Sequence, residues 1–178
     1  SAECQRDVEL ARELGFKGKT LPVVPNSGGF SKGDLSRELA PMERRKTIAI
    51  KGYQGWVGQA KVALEAVRTL AGELGDFEIV VFSANRTTVR LAKKVARETG
   101  INIVTHKKNT LSREQILNLF ARSKIYIGVS KSDGISTSML EAMAMGAIPI
   151  QTSTSCCDEW FRDSGVVVKK INVERVKE

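Results

Sequence analysis

Short apolar runs alternate with stretches of helical periodicity along most of this chain, and that alternation limits the fold more than any other feature. Residues 47–50, 77–82, 101–104, 124–129 and 147–151 read as strands. Residues 59–74, 87–99, 112–121 and 136–145 carry apolar side chains at three- and four-residue spacing and read as amphipathic helices. Apart from Glu78, the run from Phe77 to Phe82 is apolar without alternating, as in a strand covered on both faces. Strand, helix, strand repeated at short spacing predicts an α/β fold: an open, doubly wound parallel sheet with helices on both faces. Helix punctuation agrees. Gly100 and Gly146 stand just past two of the helices, and Ser112 with Gln115 has the spacing of a capping box. Val166–Val168 is a candidate further strand, and Pro149 marks its own strand as an edge or an irregularity.

Before residue 47 the signal is weaker. A helix is expected over about Ala2–Leu14, ended by Gly15, and a short strand over Leu21–Val24, closed by the turn Pro25-Asn26-Ser27-Gly28-Gly29. Residues 28–46 are polar and irregular, with the basic cluster Arg44-Arg45-Lys46. Residues 1–46 are therefore expected as a linker segment leading into a single domain over 1–178.

A chain of 178 residues can bury one real core. No apolar run approaches the roughly 18 residues of a membrane span, and no signal-peptide pattern opens the chain. It begins on Ser1 and ends in a charged segment, which suggests an excised piece of a larger protein. Three cysteines, Cys4, Cys156 and Cys157, are an odd count with an adjacent pair. That is no secreted disulfide framework; it fits a reducing cytoplasm, with the cysteines as ordinary loop or core residues. One histidine and no Cys/His spacing predict no metal. The net charge of +8 favours anionic partners. Much of it lies in Arg86, Arg90, Lys93, Lys94 and Arg97, spaced as the solvated face of a helix. Basic residues are not interleaved with aromatics, so nucleic acid is not an expected partner.

In a doubly wound sheet, ligands bind at the C-terminal strand ends where strand order reverses. For the order 3-2-1-4-5-6, the reversal lies between the first and fourth strands of the series. The loops leaving those strands are Lys51-Gly52-Tyr53-Gln54-Gly55-Trp56-Val57-Gly58 and Ser130–Ile135, which topology should bring face to face. The first loop spaces its glycines as GxxGxxG, not GxGxxG. The next strand ends Phe82-Ser83-Ala84-Asn85, with no acid for a ribose, and no Gly-Lys-Ser/Thr follows. Nicotinamide cofactors and ATP hydrolysis both lose ground. The second loop runs through Asp133 and Gly134 into a helix start with Ile135, Ser136 and Thr137, and Glu141 follows eight positions after Asp133. Open backbone N–H groups at a helix start suit a phosphate. Two carboxylates flanking them suit a ligand rich in hydroxyls. Phosphate with hydroxyls means a nucleotide-sugar.

The series Asp133-Gly134, Glu141-Ala142-Met143-Ala144, Gly146 and Pro149 resembles the donor-site motif of glycosyltransferase family 4, group 1. These are retaining enzymes of the two-domain GT-B fold. Val23-Val24-Pro25-Asn26-Ser27 is similar to the segment before that family's C-terminal domain, and Glu65-Ala66 matches a pair in its first helix. The similarity runs over about residues 1–170. It implies a Rossmann-like domain forming one half of a GT-B fold, with the acceptor site on an N-terminal domain outside this chain. It implies that Glu141 accepts from ribose hydroxyls and Asp133 from the transferred sugar. The backbone of Ile135, Ser136 and Thr137 would hold phosphate or sugar oxygens, and Thr105–Lys108, with His106, would lie near the base. The family commonly places Arg and Lys in the first loop as a diphosphate clamp. Here those positions are Tyr53 and Gly58, so loop backbone at Gly52, Gly55 and Gly58, Gln59, the nearby Lys51 and the helix dipole would replace it.

The expected function is a retaining hexosyltransferase of carbohydrate biosynthesis, inactive as this fragment alone, that moves a sugar from a UDP- or GDP-sugar to an acceptor hydroxyl. No cofactor beyond that donor is expected. The acceptor would be a sugar or a lipid-linked glycan, the latter bringing peripheral membrane association. A non-catalytic nucleotide- or sugar-phosphate-binding module and a nucleotide-sugar epimerase are the alternatives.

Overall fold

The structure is a computed structural model that describes residues 2–24, 30–161, 163–169 and 171. After helices α1 (Gln5–Glu13) and α2 (Lys32–Leu35), strands and helices alternate. They are β1 (Thr47–Lys51), α3 (Ala60–Thr69), β2 (Glu78–Ala84), α4 (Arg86–Thr99), β3 (Ile103–Lys107), α5 (Arg113–Arg122), β4 (Ser123–Gly128), α6 (Thr137–Ala144), β5 (Ile148–Thr152), α7 (Cys157–Phe161) and β6 (Val166–Val168). The sheet has the order β3-β2-β1-β4-β5-β6, and every neighbouring pair is parallel. This is the expected doubly wound sheet, with its reversal between β1 and β4.

Strand geometry sends successive side chains to opposite faces, and here both faces are buried. Ile48, Ile50, Ile79 and Val81 pack with Leu64 and Val67 of α3 and Val95 of α4 on one face. Ala49, Val80 and Phe82 pack with Leu117 and Phe120 of α5 and Met139 of α6 on the other. Phe82, Phe120 and the buried Tyr126 form an aromatic cluster there; Phe120 meets each of the other two edge to face, at 5.4 and 5.7 Å between centroids. The continuous apolar runs of β1 and β2 thus serve two cores at once. The cations Arg86, Arg90, Lys93, Lys94 and Arg97 of α4 are all exposed.

Several expectations need correction. Leu21–Val24 is not a strand. Leu21 and Val24 are exposed, and Val24 instead donates its backbone N–H to the Ala2 carbonyl. The following turn, Pro25–Gly29, lies outside the described residues. The helix expected to reach Leu74 stops at Thr69, and residues 70–73 turn before Gly75. Pro149 sits inside the sheet rather than at an edge, since β5 pairs with both β4 and β6. It is tolerated because β6 pairs only with Ile150–Thr152, so the ladder starts one residue after the missing N–H. Within the basic cluster of residues 44–46, Arg45 has a structural place. It is buried, and its guanidinium donates to the carbonyls of Ala40, Ser123 and Met145 at 2.8–3.1 Å. It thereby pins the linker beneath the sheet, and burial pulls its pKa down.

The cysteines also depart from expectation. Cys4 and Cys156 are joined as a disulfide, with Cα atoms 6.4 Å apart across 152 positions. Cys157 is buried beside it, and its thiol lies 3.3 Å from the Thr152 carbonyl. Glu159 reinforces the tie: its carboxylate accepts from the backbone N–H groups of Gln5 and Arg6 at 2.7 and 3.0 Å, capping α1. The start of α1 is thus fixed against the C-terminal edge of the sheet, and Val8 is buried.

Candidate functional site

β1 and β4 run side by side at the centre of the sheet, and the loops leaving their C-terminal ends touch. Gly58 and Ser130 form an antiparallel bridge. The Gln59 N–H donates to the Val129 carbonyl, and the Lys131 N–H donates to the Val57 carbonyl, both at 2.9 Å. Beneath this contact lies a crevice of about 210 Å³, lined by Lys51, Tyr53, Gly58, Ser130, Asp133 and Gln151 among others.

Lys51 ends β1 and reaches across the crevice. Its Nζ is 3.7 Å from Asp133 Oδ2 and 3.5 Å from Ser136 Oγ. Burial opposes its charge, but Tyr126, Asp133 and Tyr53 outweigh that effect and hold its pKa above the ordinary lysine value. The Tyr53 ring meets two cations, the Nζ of Lys51 at 5.5 Å and of Lys108 at 5.7 Å from its centroid. The loop after β3 therefore brings a cation, Lys108, against Tyr53, itself a residue of the crevice lining. Ser136 occupies the N-cap position of α6 without capping it; its hydroxyl is 3.4 Å from the buried Tyr126 phenol. Thr137 begins the helix behind it.

Not every nominated residue faces open space. A Cβ on Gly52 would meet the Phe82 carbonyl at 2.7 Å and Ala84 Cα at 2.8 Å, and one on Gly58 would meet the Tyr53 carbonyl at 2.5 Å. These two glycines serve close backbone approach within the protein. Gly55 has nothing within 4 Å. The Gln59 amide closes its own loop, donating to Gly55 O at 3.0 Å and Trp56 O at 3.5 Å, and Trp56 is 82% exposed. His106 is not on a loop. It lies within β3 and lines a separate hollow of about 220 Å³ against α5, with Gln115 and Asn118. Strand β3 continues three residues past the expected end and takes in His106, which is not among the residues lining the crevice.

Two further groups join the site from far away in the chain. The carboxylate of Glu3 accepts from the Ile135 N–H at 2.8 Å and packs against Gly134. Glu141, on α6, has its Oε1 3.5 Å from Nε of Arg113, which in turn bonds both carboxylate oxygens of Asp34 at 3.1 Å. Burial raises the Glu141 pKa; Arg113 and Lys51 oppose the rise and Asp34 adds to it. Asp34 itself is held down to about 2 by the Ser31 N–H and hydroxyl and by Arg113. No local sequence signal pointed to Glu3, Arg113 or Asp34, because each acts through contacts remote in the chain. Cys4, Cys156 and Glu159 also lie together, but the two sulfurs are bonded to each other and Glu159 is committed to α1.

The family described as Glycosyl transferases group 1 matches residues 32–178, most of the chain. The chain belongs to the group 1 glycosyltransferases. Within this glycosyltransferase, 36% identity over 76 residues links it to a relative from Sulfolobus islandicus filamentous virus (isolate Iceland/Hveragerdi), named as glycosyltransferase 41. That match spans 37% of this chain and 23% of the viral protein. Among solved structures, trehalose-6-phosphate from E. coli bound with UDP-2-fluoro glucose superposes with a TM-score of 0.66 at 11% identity, over 82% of this chain and 39% of that one. The catalytic domain of cholesterol-alpha-glucosyltransferase from Helicobacter pylori superposes with a TM-score of 0.61 at 16% identity, over 75% of this chain and 82% of that one. At such identities the likeness is one of fold: a Rossmann-like parallel sheet, as in glycosyltransferases of the GT-B fold. The chain spans well under half the length of the viral relative and of the E. coli protein. Among the described residues no helix is long and apolar enough to cross a membrane.

Proposed function

We propose that this glycosyltransferase domain binds the donor, a nucleotide-diphospho-sugar, in the crevice over the β1/β4 reversal, and that the whole enzyme transfers the sugar with retention of anomeric configuration. The observation that carries the reading is the direct meeting of the Gly52–Gly58 and Ser130–Asp133 loops, which leaves Lys51 and Asp133 around one cavity, with Lys51 Nζ 3.5 Å from Ser136 Oγ at the start of α6. Lys51 would neutralise the diphosphate, with Lys108 near the mouth. The N–H groups at Ile135, Ser136 and Thr137 would meet phosphate or sugar oxygens. Asp133 would accept from the sugar, and Glu141, ionised and oriented by Arg113, from the ribose. Catalysis would rest on positioning and on stabilising the departing diphosphate. The E. coli structure bound with UDP-2-fluoro glucose supports a nucleotide-sugar as ligand class, and a hexose as the transferred group. The acceptor, a sugar or lipid-linked glycan, would sit on an N-terminal domain beyond these residues, so the 178-residue chain alone would bind donor weakly and turn over nothing.

A thermal-shift screen against UDP, GDP and their sugar conjugates tests the reading, since a ligand of the folded state raises the melting point by mass action. Stabilisation by one nucleotide-sugar, abolished by Glu141→Ala, is the expected result. No response to any nucleotide would end it. A non-catalytic nucleotide- or sugar-phosphate-binding module is the second reading, favoured by Tyr53 and Gly58 at the positions where a cationic clamp is expected. It predicts binding by the whole protein without transfer.

A further inference from the structure

Gln151 lies in β5, outside the paired-acid motif, and in register beside Gly128 of β4. It is 1% exposed, and its Oε1 has no hydrogen-bond partner among the described residues. A Cβ placed on Gly128 would overlap that Oε1 and stand 2.7 Å from the Tyr126 hydroxyl. The amide therefore lies across the neighbouring strand, in room that only a glycine leaves. Gly128 and Gln151 both line the crevice, along with Lys51 and Asp133. A buried carbonyl oxygen that accepts nothing is disfavoured and rare in native proteins. One that borders a cavity also lined by Lys51, Ser130 and Asp133 is placed for a donor from a ligand.

We infer that Gln151 is a sugar-reading residue: its amide accepts from a hydroxyl of the transferred sugar, on the side of the crevice away from the base. This rests on the proposed donor site. Sheet order decides between sugar and base. β5 and β3 lie on opposite sides of the β1/β4 pair, so a ligand with its base toward β3 and its diphosphate by Lys51 extends its sugar toward β5. Sites built to bond a hydroxyl discriminate strongly, because the wrong ligand leaves the buried group unpaired.

Isothermal titration of the 178-residue chain with UDP, GDP, UDP-glucose, UDP-N-acetylglucosamine and GDP-mannose provides the test, repeated on Gln151→Leu and Gln151→Asn. Gln151→Leu should weaken the preferred nucleotide-sugar by roughly 10-fold or more, leave its bare diphosphate within about twofold, and leave the unliganded melting point unchanged or higher, since an unpartnered amide is lost. Gln151→Asn keeps the amide but withdraws it by one methylene, and should lose the same sugar contribution. Equal weakening of bare diphosphate and nucleotide-sugar, a markedly lower melting point in both variants, or no change in either ligand would overturn the inference. A wild type that binds diphosphate but gains nothing from the sugar overturns it too, while leaving the nucleotide site standing. A wild type that binds none of the five overturns the donor-site reading itself.

Discussion

The Glu3 carboxylate accepts the Ile135 N–H at 2.8 Å, across 132 positions of chain. Ile135 opens the turn into α6, where a ligand oxygen is proposed to bind, so the protein supplies its own anion to that N–H group. Glu3 is held there by its neighbour Cys4, bonded to Cys156, and by the Glu159 cap on α1. A nucleotide-sugar bound as proposed would displace it. Glu3→Ala is therefore expected to tighten nucleotide-sugar binding by roughly 3- to 10-fold, the scale of one charge-assisted hydrogen bond discounted for solvent. Titration calorimetry on both proteins reads this directly, and weaker binding by the variant would mean that Glu3 helps to hold the ligand.

Glu141 makes a pH prediction. Burial raises its pKa, so it takes up its proton above the ordinary value of 4.5. The ionised form is the better acceptor for ribose hydroxyls, and donor affinity should fall as pH drops through that raised pKa. Glu141→Gln should bind more weakly at neutral pH and flatten the profile. Arg113→Ala removes the cation that favours ionisation, so it should move the fall to higher pH. For stability the sign reverses. A raised folded-state pKa stabilises the fold below the unfolded value, and that contribution is lost as pH rises, so Glu141→Gln should not lower the melting point at pH 7. Asp34, held down to about 2, behaves oppositely: its contribution is present above the unfolded value and disappears as pH falls toward 2. Affinity and melting curves from pH 4 to 8 check the Glu141 effects.

Lys51 should matter most for the diphosphate. Lys51→Met keeps the bulk and removes the charge beside Asp133. Bare nucleoside diphosphate and nucleotide-sugar should both weaken, by about 10-fold or more, since a charge-assisted phosphate contact is lost. An unchanged diphosphate affinity would shift that role to Lys108 or the loop backbone.

Gly58→Ala tests whether the first loop is packed as tightly as its contacts imply. The added methyl meets the Tyr53 carbonyl at 2.5 Å and Tyr53 Cβ at 2.6 Å, while Gly58 also bridges Ser130. The loop must move, at a cost of about 1–3 kcal/mol. Gly55→Ala, which meets nothing within 4 Å, is the control and should be close to neutral. Denaturant melts of the two variants separate them.

Much of the fold was legible because strand and helix have different periods. Ile79 to Phe82 could be read as doubly buried from their unbroken apolarity, and Ser112 with Gln115 forms the capping box that the spacing predicted, with bonds of 3.2 and 2.8 Å. Where local pattern met tertiary context, context won. Leu21–Val24 has strand composition but pairs with no sheet edge among the described residues, Pro149 is absorbed where a ladder begins, and His106 is drawn into β3 by the further pairings of Thr105 and Lys107 along β2. The cysteine count could not reveal the Cys4–Cys156 bond, because pairing depends on where α1 docks.

From the chain alone came the alternation of strand and helix, the reversal that sets two loops over one crevice, and the family resemblance carried by Asp133, Gly134 and Glu141. These are local or topological properties, written in residue spacing and short-range sterics. Tertiary structure decided which groups converge there: Glu3 on Ile135, Arg113 against Glu141, Lys108 over Tyr53 and the Gln151 amide above Gly128. Each of these contacts joins residues 23 to 132 positions apart. Such proximity is set by packing between elements, and no period in the sequence encodes it.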